Sequence, residues 1–222
     1  MYDVCVGLGY HCESTYQLRR ITGVERAHFF DWLDLDLIAV KETIEADFAN
    51  VLRPGLGEPF SDGACVRDRG SNIRFFHEFH APEGAPLTPA LIAEQHPAVR
   101  AKFTHLADRW RALTASRSRV LYVHQDAFDE SAAPDLADLH RLLRSRYPDH
   151  AFDLLWLRRT PPADADALPP GVLWGTAALS PGRWEGDDAA WDAALAPLDI
   201  PRRTPGTPDT RPHPPEEPCP QT

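Results

Sequence analysis

The sequence predicts an α/β protein, with a mostly parallel sheet flanked by helices in a Rossmann-like, three-layer arrangement. Three observations predict it. Short, largely apolar runs such as VLYVH (120–124), FDLLWL (152–157) and VLWGTAA (172–178) have the composition of strands buried on both faces. Segments with apolar residues at helical spacing alternate with them. The chain also opens on YDVCVGLG (2–9), an apolar run that ends in a glycine turn and leads into a helical pattern.

The elements follow in order. The first helix is expected over Cys12 to Ile21, with Tyr16 or Leu18 and Ile21 as apolar positions and Glu13 or Ser14 in its first turn. AHFFDWL (27–33) reads as extended. Leu37, Ile38, Ile44, Phe48 and Val51 recur at helical spacing, giving a helix that stops before Arg53-Pro54-Gly55. Residues 56–71 are turn-rich and irregular. IRFF (73–76) reads as a strand running into His77-Glu78-Phe79-His80, and APEGAP as a loop. Phe103, Leu106, Trp110 and Leu113 mark a long helix, and Leu136, Leu139, Leu143 and Tyr147 another. A Pro-rich loop separates the last two strands, and Trp191, Leu195 and Leu198 close with a short helix. Residues 1–200 form one α/β domain in this reading. Residues 201–222 carry Pro, Thr, Arg and Glu with hardly any apolar side chain, which cannot offset the entropy of ordering, so a disordered tail is expected.

Composition narrows the function classes. The chain has 222 residues, 43% hydrophobic and 25% charged, which excludes a wholly disordered polymer. A net charge of -10 argues against sequence-independent nucleic-acid binding and against anionic membranes, both of which need clustered Lys and Arg. No run approaches the roughly 20 apolar residues of a membrane span. The first residues lack the basic segment and cleavage site of a signal peptide. Cys5, Cys12, Cys65 and Cys219 form neither a CxxC nor a disulfide framework, so reduced thiols and a cytoplasmic location are expected. A small-molecule or peptide substrate is expected. The oligomeric state is left open.

Cys12 is the most informative residue. It follows the glycine turn of Gly7 and Gly9 and starts a helix. Helix N-termini stabilise thiolates and oxyanions. Cys12 therefore reads either as a nucleophile or as a small residue packed in the first turn. Cys5, inside the strand, reads as core. His77 is a candidate base at a strand end, with His80, His11 and His124 as further residues able to line the same site. Asp31, between large aromatics, reads as an acid that orients a histidine or as a helix cap. No metal site is expected, because the HExxH and CxxC spacings are missing. No cofactor is expected either. The turn resembles the first half of GxGxxG, but Cys12 occupies the place of the third glycine.

The segment VGLGYHCESTYQLRRITGVERAHFFDWL, with FFHEFH further on, resembles a bacterial domain-of-unknown-function family described as papain-like cysteine peptidases. The matching positions are Leu8, Gly9, Cys12 and Leu18, then Phe30, Asp31 and Trp32, then Phe76, His77 and Phe79. The resemblance covers roughly Tyr2 to Asp126. It implies a nucleophile at Cys12, a base at His77 and an orienting acid at Asp31, with Gly9, His11, Trp32, His80 and His124 around the substrate. It also carries an alternative fold, papain-like α+β, which sits uneasily with alternating strands and helices. The expected function is a thiol-dependent hydrolase or acyl-transferase acting on an amide or ester. The alternatives are a nucleotide-sugar-dependent transferase, with phosphate held at the helix N-terminus, and a non-catalytic binding module.

Overall fold

A computed structural model describes residues 1–177, 180 and 182–203. The tail expected from the sequence lies, from residue 204 on, outside the described residues. So does the last residue of the 172–178 run.

Four parallel strands make the principal sheet: β1 (Val4–Gly7), β5 (Val120–Asp126), β6 (Phe152–Arg158) and β7 (Val172–Thr176), in the order β1-β5-β6-β7. Val4 pairs with Val120, Val120 with Phe152, and Leu154 with Val172. β5 is buried at every position, which is why VLYVHQD carries no exposed polar alternation.

Helices cover both faces. On one face α1 (Cys12–Thr22) and α5 (Asp188–Leu195) pack Leu18, Ile21, Trp191 and Leu195 against Leu121, Val123, Leu155 and Leu157. On the other, Leu136, Leu139 and Leu143 of α4 (Ala133–Arg146) share a core with Tyr122, Leu154 and Trp156. α2 (Leu37–Glu45) and α3 (Pro89–Thr114) contribute Val40, Ile44, Phe103 and Trp110 to that core. The helices after β1 and β5 thus lie on opposite faces. Neighbouring strands whose following helices diverge leave their connecting turns side by side at the strand ends. Here Tyr10 of the β1–α1 turn lies 5.9 Å, ring to ring, from Phe128 of the β5–α4 turn. Its hydroxyl donates to Glu130 at 3.1 Å.

A second sheet was not foreseen. β2 (Gly57–Phe60), β3 (Cys65–Asp68) and β4 (Ile73–Phe75) form an antiparallel meander in the region read as irregular. Its strands have only three or four residues, too few for a period to emerge, and two turns interrupt them. The second turn is built on the buried Asp68 carboxylate, which accepts from Leu52 N–H at 2.8 Å and Ser71 Oγ at 2.6 Å. The IRFF strand therefore belongs to this sheet and not to the parallel one.

Two other expectations are corrected. AHFFDWL is a turn at Phe29–Trp32, with a single bridge from Asp34 to Arg74, not an extended strand. The helix expected to reach Val51 ends at Glu45, because Asp47, Phe48 and Leu52 adopt left-handed backbone at φ 49, 65 and 51°. Phe48 is nonetheless buried, against Phe29 at 4.4 Å, so its apolar spacing reports core contact without helix.

Candidate active site

β1 delivers the chain to the carboxyl edge of the sheet, and Gly9 turns it. Gly9 has φ +80°, and a Cβ there would run into the Leu35 side chain. Only glycine meets both conditions without strain. Tyr10 follows at φ 93°, and His11 is the extended N-cap residue of α1. The His11 side chain makes no capping hydrogen bond; its ring packs on Tyr10 at 4.7 Å and Phe128 at 6.0 Å. Cys12 is then the first helical residue, 2% exposed.

His77 arrives from the opposite direction, two residues beyond β4. Cys12 Sγ and His77 Nε2 are 3.2 Å apart across 65 residues of chain. That is hydrogen-bonding distance for a sulfur partner. Burial holds the His77 pKa below the ordinary histidine value, with Glu78 opposing and His80 and Lys102 adding to the depression. A histidine so depressed is largely neutral at pH 7 and can accept a proton.

The segment Asp31–Asp34 joins the two halves. On one side it is bound to α1: Trp32 N–H donates to Thr15 Oγ1 at 3.1 Å, and Arg19 reaches Asp31 at 2.9 Å. On the other it is bound to β4. Asp34 and Arg74 exchange both backbone hydrogen bonds, at 3.2 and 2.9 Å, and their side chains form a two-point ion pair at 2.9 and 2.6 Å. Because that bridge is antiparallel, the chain before Asp34 and the chain after Arg74 run off its same end, and both Trp32 and His77 lie there. Their rings meet edge to face, 6.1 Å apart at 87°.

The expected orienting acid is corrected by this geometry. The Asp31 carboxylate accepts from Arg19 and from the His28 N–H at 3.0 Å. It braces its own turn, and the ring of Trp32, the next residue, packs against His77. In this FDW segment the indole faces His77 and the acid faces Arg19.

The remaining expected residues disperse. His80 is exposed and bound through its backbone to Gln95, at 2.9 and 2.8 Å. His124 is fully buried, behind Tyr10 at 6.4 Å, and neither ring nitrogen has a hydrogen-bond partner among the described residues. It supports the turn from below and does not line an open site. Burial lowers its pKa to about 4. Burial likewise lowers that of His11, whose ring is directed at Tyr10 and Phe128. Cys5 and Cys65 are free thiols, pushed up by burial to about 12 and about 11 respectively.

Sequence reasoning missed Thr15, Arg19 and Trp184. Thr15 lies one helical turn from Cys12, and Arg19 one turn beyond Thr15. That spacing could have placed them on one face. Trp184 contacts Tyr16 at 5.4 Å and Trp32 at 6.4 Å, and nothing in the local sequence marks it.

Among the described residues no group of His, Cys, Asp and Glu could hold a metal ion, and no helix is long and apolar enough to cross a membrane. No family model, no curated protein and no solved structure matches the chain.

Proposed function

We propose that the protein is a thiol-dependent hydrolase or acyl-transferase acting on an amide or ester. One observation carries the reading: Cys12 Sγ lies 3.2 Å from His77 Nε2 at the first residue of a helix. A nucleophile needs a base within hydrogen-bond reach, and a developing oxyanion needs fixed donors. The pair supplies the first and the opening turn of α1 the second.

In this reading His77 takes the thiol proton and the Cys12 sulfur adds to the carbonyl carbon. First-turn N–H groups of α1 carry the oxyanion. When the tetrahedral intermediate collapses, the amine or alcohol leaves with the proton held by His77, and a thioester on Cys12 remains. Water, or another acceptor, is then deprotonated by His77 and attacks the thioester. The thiol is regenerated as the acyl group departs.

The test uses p-nitrophenyl acetate with a phosphine reductant present. The expected result is a burst of one p-nitrophenolate per chain and an acetyl mass on the Cys12 peptide. A burst of equal size from Cys12→Ala overturns the proposal.

A further inference from the structure

We infer that Trp32 is a positioning residue for His77, fixing the imidazole relative to the helix that carries Cys12. The inference rests on the Cys12–His77 reading above and adds what holds that pair in register.

Four observations support it. The Trp32 ring stands edge-on to the imidazole, 6.1 Å away at 87°. Aromatic pairs prefer this arrangement, and it fixes the tilt of both rings. The Trp32 backbone is left-handed, at φ 61°, a conformation that a non-glycine residue keeps where its surroundings impose it. The Thr15 hydroxyl imposes it, by accepting the Trp32 N–H. Finally, the Arg19 guanidinium lies over the indole, 5.5 Å from its centre, and Asp31 and Glu25 hold that guanidinium at 2.9 and 3.4 Å.

The contacts form one chain, from Asp31 through Arg19 and Trp32 to His77 and Cys12. Thr15 and Arg19 belong to the helix that carries Cys12. The indole therefore sets the imidazole relative to Cys12, because both are referred to α1. Asp31 acts at a distance, by fixing Arg19.

The test is the pH dependence of Cys12 alkylation by iodoacetamide, read by mass spectrometry with a phosphine reductant present. The free-thiol reference midpoint is about pH 8.5. The wild type is expected below it, and His77→Ala at it. Trp32→Ala is expected to move the midpoint at least one pH unit toward the reference with the far-UV circular dichroism unchanged. Trp32→Phe, which keeps a ring at the contact, is expected to restore most of the shift. Asp31→Asn is expected to move it by a smaller amount. A Trp32→Ala profile superimposed on wild type, while His77→Ala shifts, overturns the inference and leaves the pair standing. A profile unmoved by His77→Ala overturns the pair and the inference with it. If Trp32→Ala does not fold, Asp31→Asn decides: a wild-type midpoint there overturns the chain of contacts, and a raised one supports it.

Discussion

The Trp32 backbone N–H donates to the Thr15 hydroxyl at 3.1 Å, and this contact ties the turn after α1 back onto the helix that carries Cys12. The same turn continues into Asp34, which grips Arg74 on β4. Two sheets of different kind are thereby joined next to the place where the Cys12 sulfur meets the His77 imidazole. The expected behaviour of the molecule follows from that joint.

Removing the base should be felt in chemistry more than in stability. His77→Ala is expected to slow acyl transfer from p-nitrophenyl acetate by about 10²–10⁴-fold, the usual contribution of a positioned base. In the same protein at pH 7.5, Cys5 and Cys65 are expected to resist iodoacetamide, since burial pushes both thiols far above that pH. Labelling stoichiometry by mass spectrometry checks both. Rapid labelling of Cys65 in the native protein would contradict the assigned core position.

Asp34 and Arg74 form a pair whose acid is nearly buried, at 7% side-chain exposure, and whose base is 29% exposed. Losing one partner leaves an uncompensated charge. Fully buried pairs cost about 3–5 kcal/mol when broken, and partial exposure of Arg74 reduces this to about 2–4 kcal/mol. Arg74→Ala should lower the urea midpoint accordingly. It should also raise the pH midpoint of Cys12 alkylation, because β4 positions His77. A variant with wild-type stability would mean that the backbone bridge alone holds β4.

Acid should destabilise the fold through buried histidines. The His124 pKa falls from 6.5 in the unfolded chain to about 4 in the folded one, by burial. Between those values the unfolded chain binds more protons. Stability is therefore complete above about pH 6.5 and is lost as pH falls toward 4, by up to about 3 kcal/mol from this residue. His124→Leu is expected to flatten that part of the Tm-against-pH curve. An unchanged slope in the variant would reassign the acid sensitivity to the other histidines that burial depresses, such as His11 and His28.

Glu13 gives the opposite sign. The residue is 3% exposed, and its carboxyl accepts from Trp191 Nε1 at 2.7 Å. Burial raises its pKa, with the indole hydrogen bond opposing. A raised carboxyl pKa contributes stability that is present at low pH and is lost as pH climbs from the unfolded to the folded value. Glu13→Gln keeps an oxygen for the indole and removes the charge. It should raise Tm at pH 7.5 and have a smaller effect at pH 4.5. Equal Tm changes at both values would show that folding leaves the carboxyl pKa where it is in the unfolded chain.

The parallel strands and the helices α1, α4 and α5 were legible in the sequence because each draws on local rules: apolar runs, helical spacing and a glycine turn. Cys12 was legible for the same reason, as the first residue after that turn. The three short strands 57–60, 65–68 and 73–75 were not legible, because their pairing is set by turns and by the Asp34–Arg74 bridge and not by a repeating pattern.

By itself the sequence determined which side chains were available and which local elements would carry them. Tertiary structure decided the partnerships. It brought His77 and not His80 or His124 to Cys12, turned Asp31 toward Arg19, and set Trp32 against the imidazole. Those choices depend on contacts between residues 12 to 65 positions apart. Contacts at that separation come from packing two sheets around one core, and no local propensity encodes them.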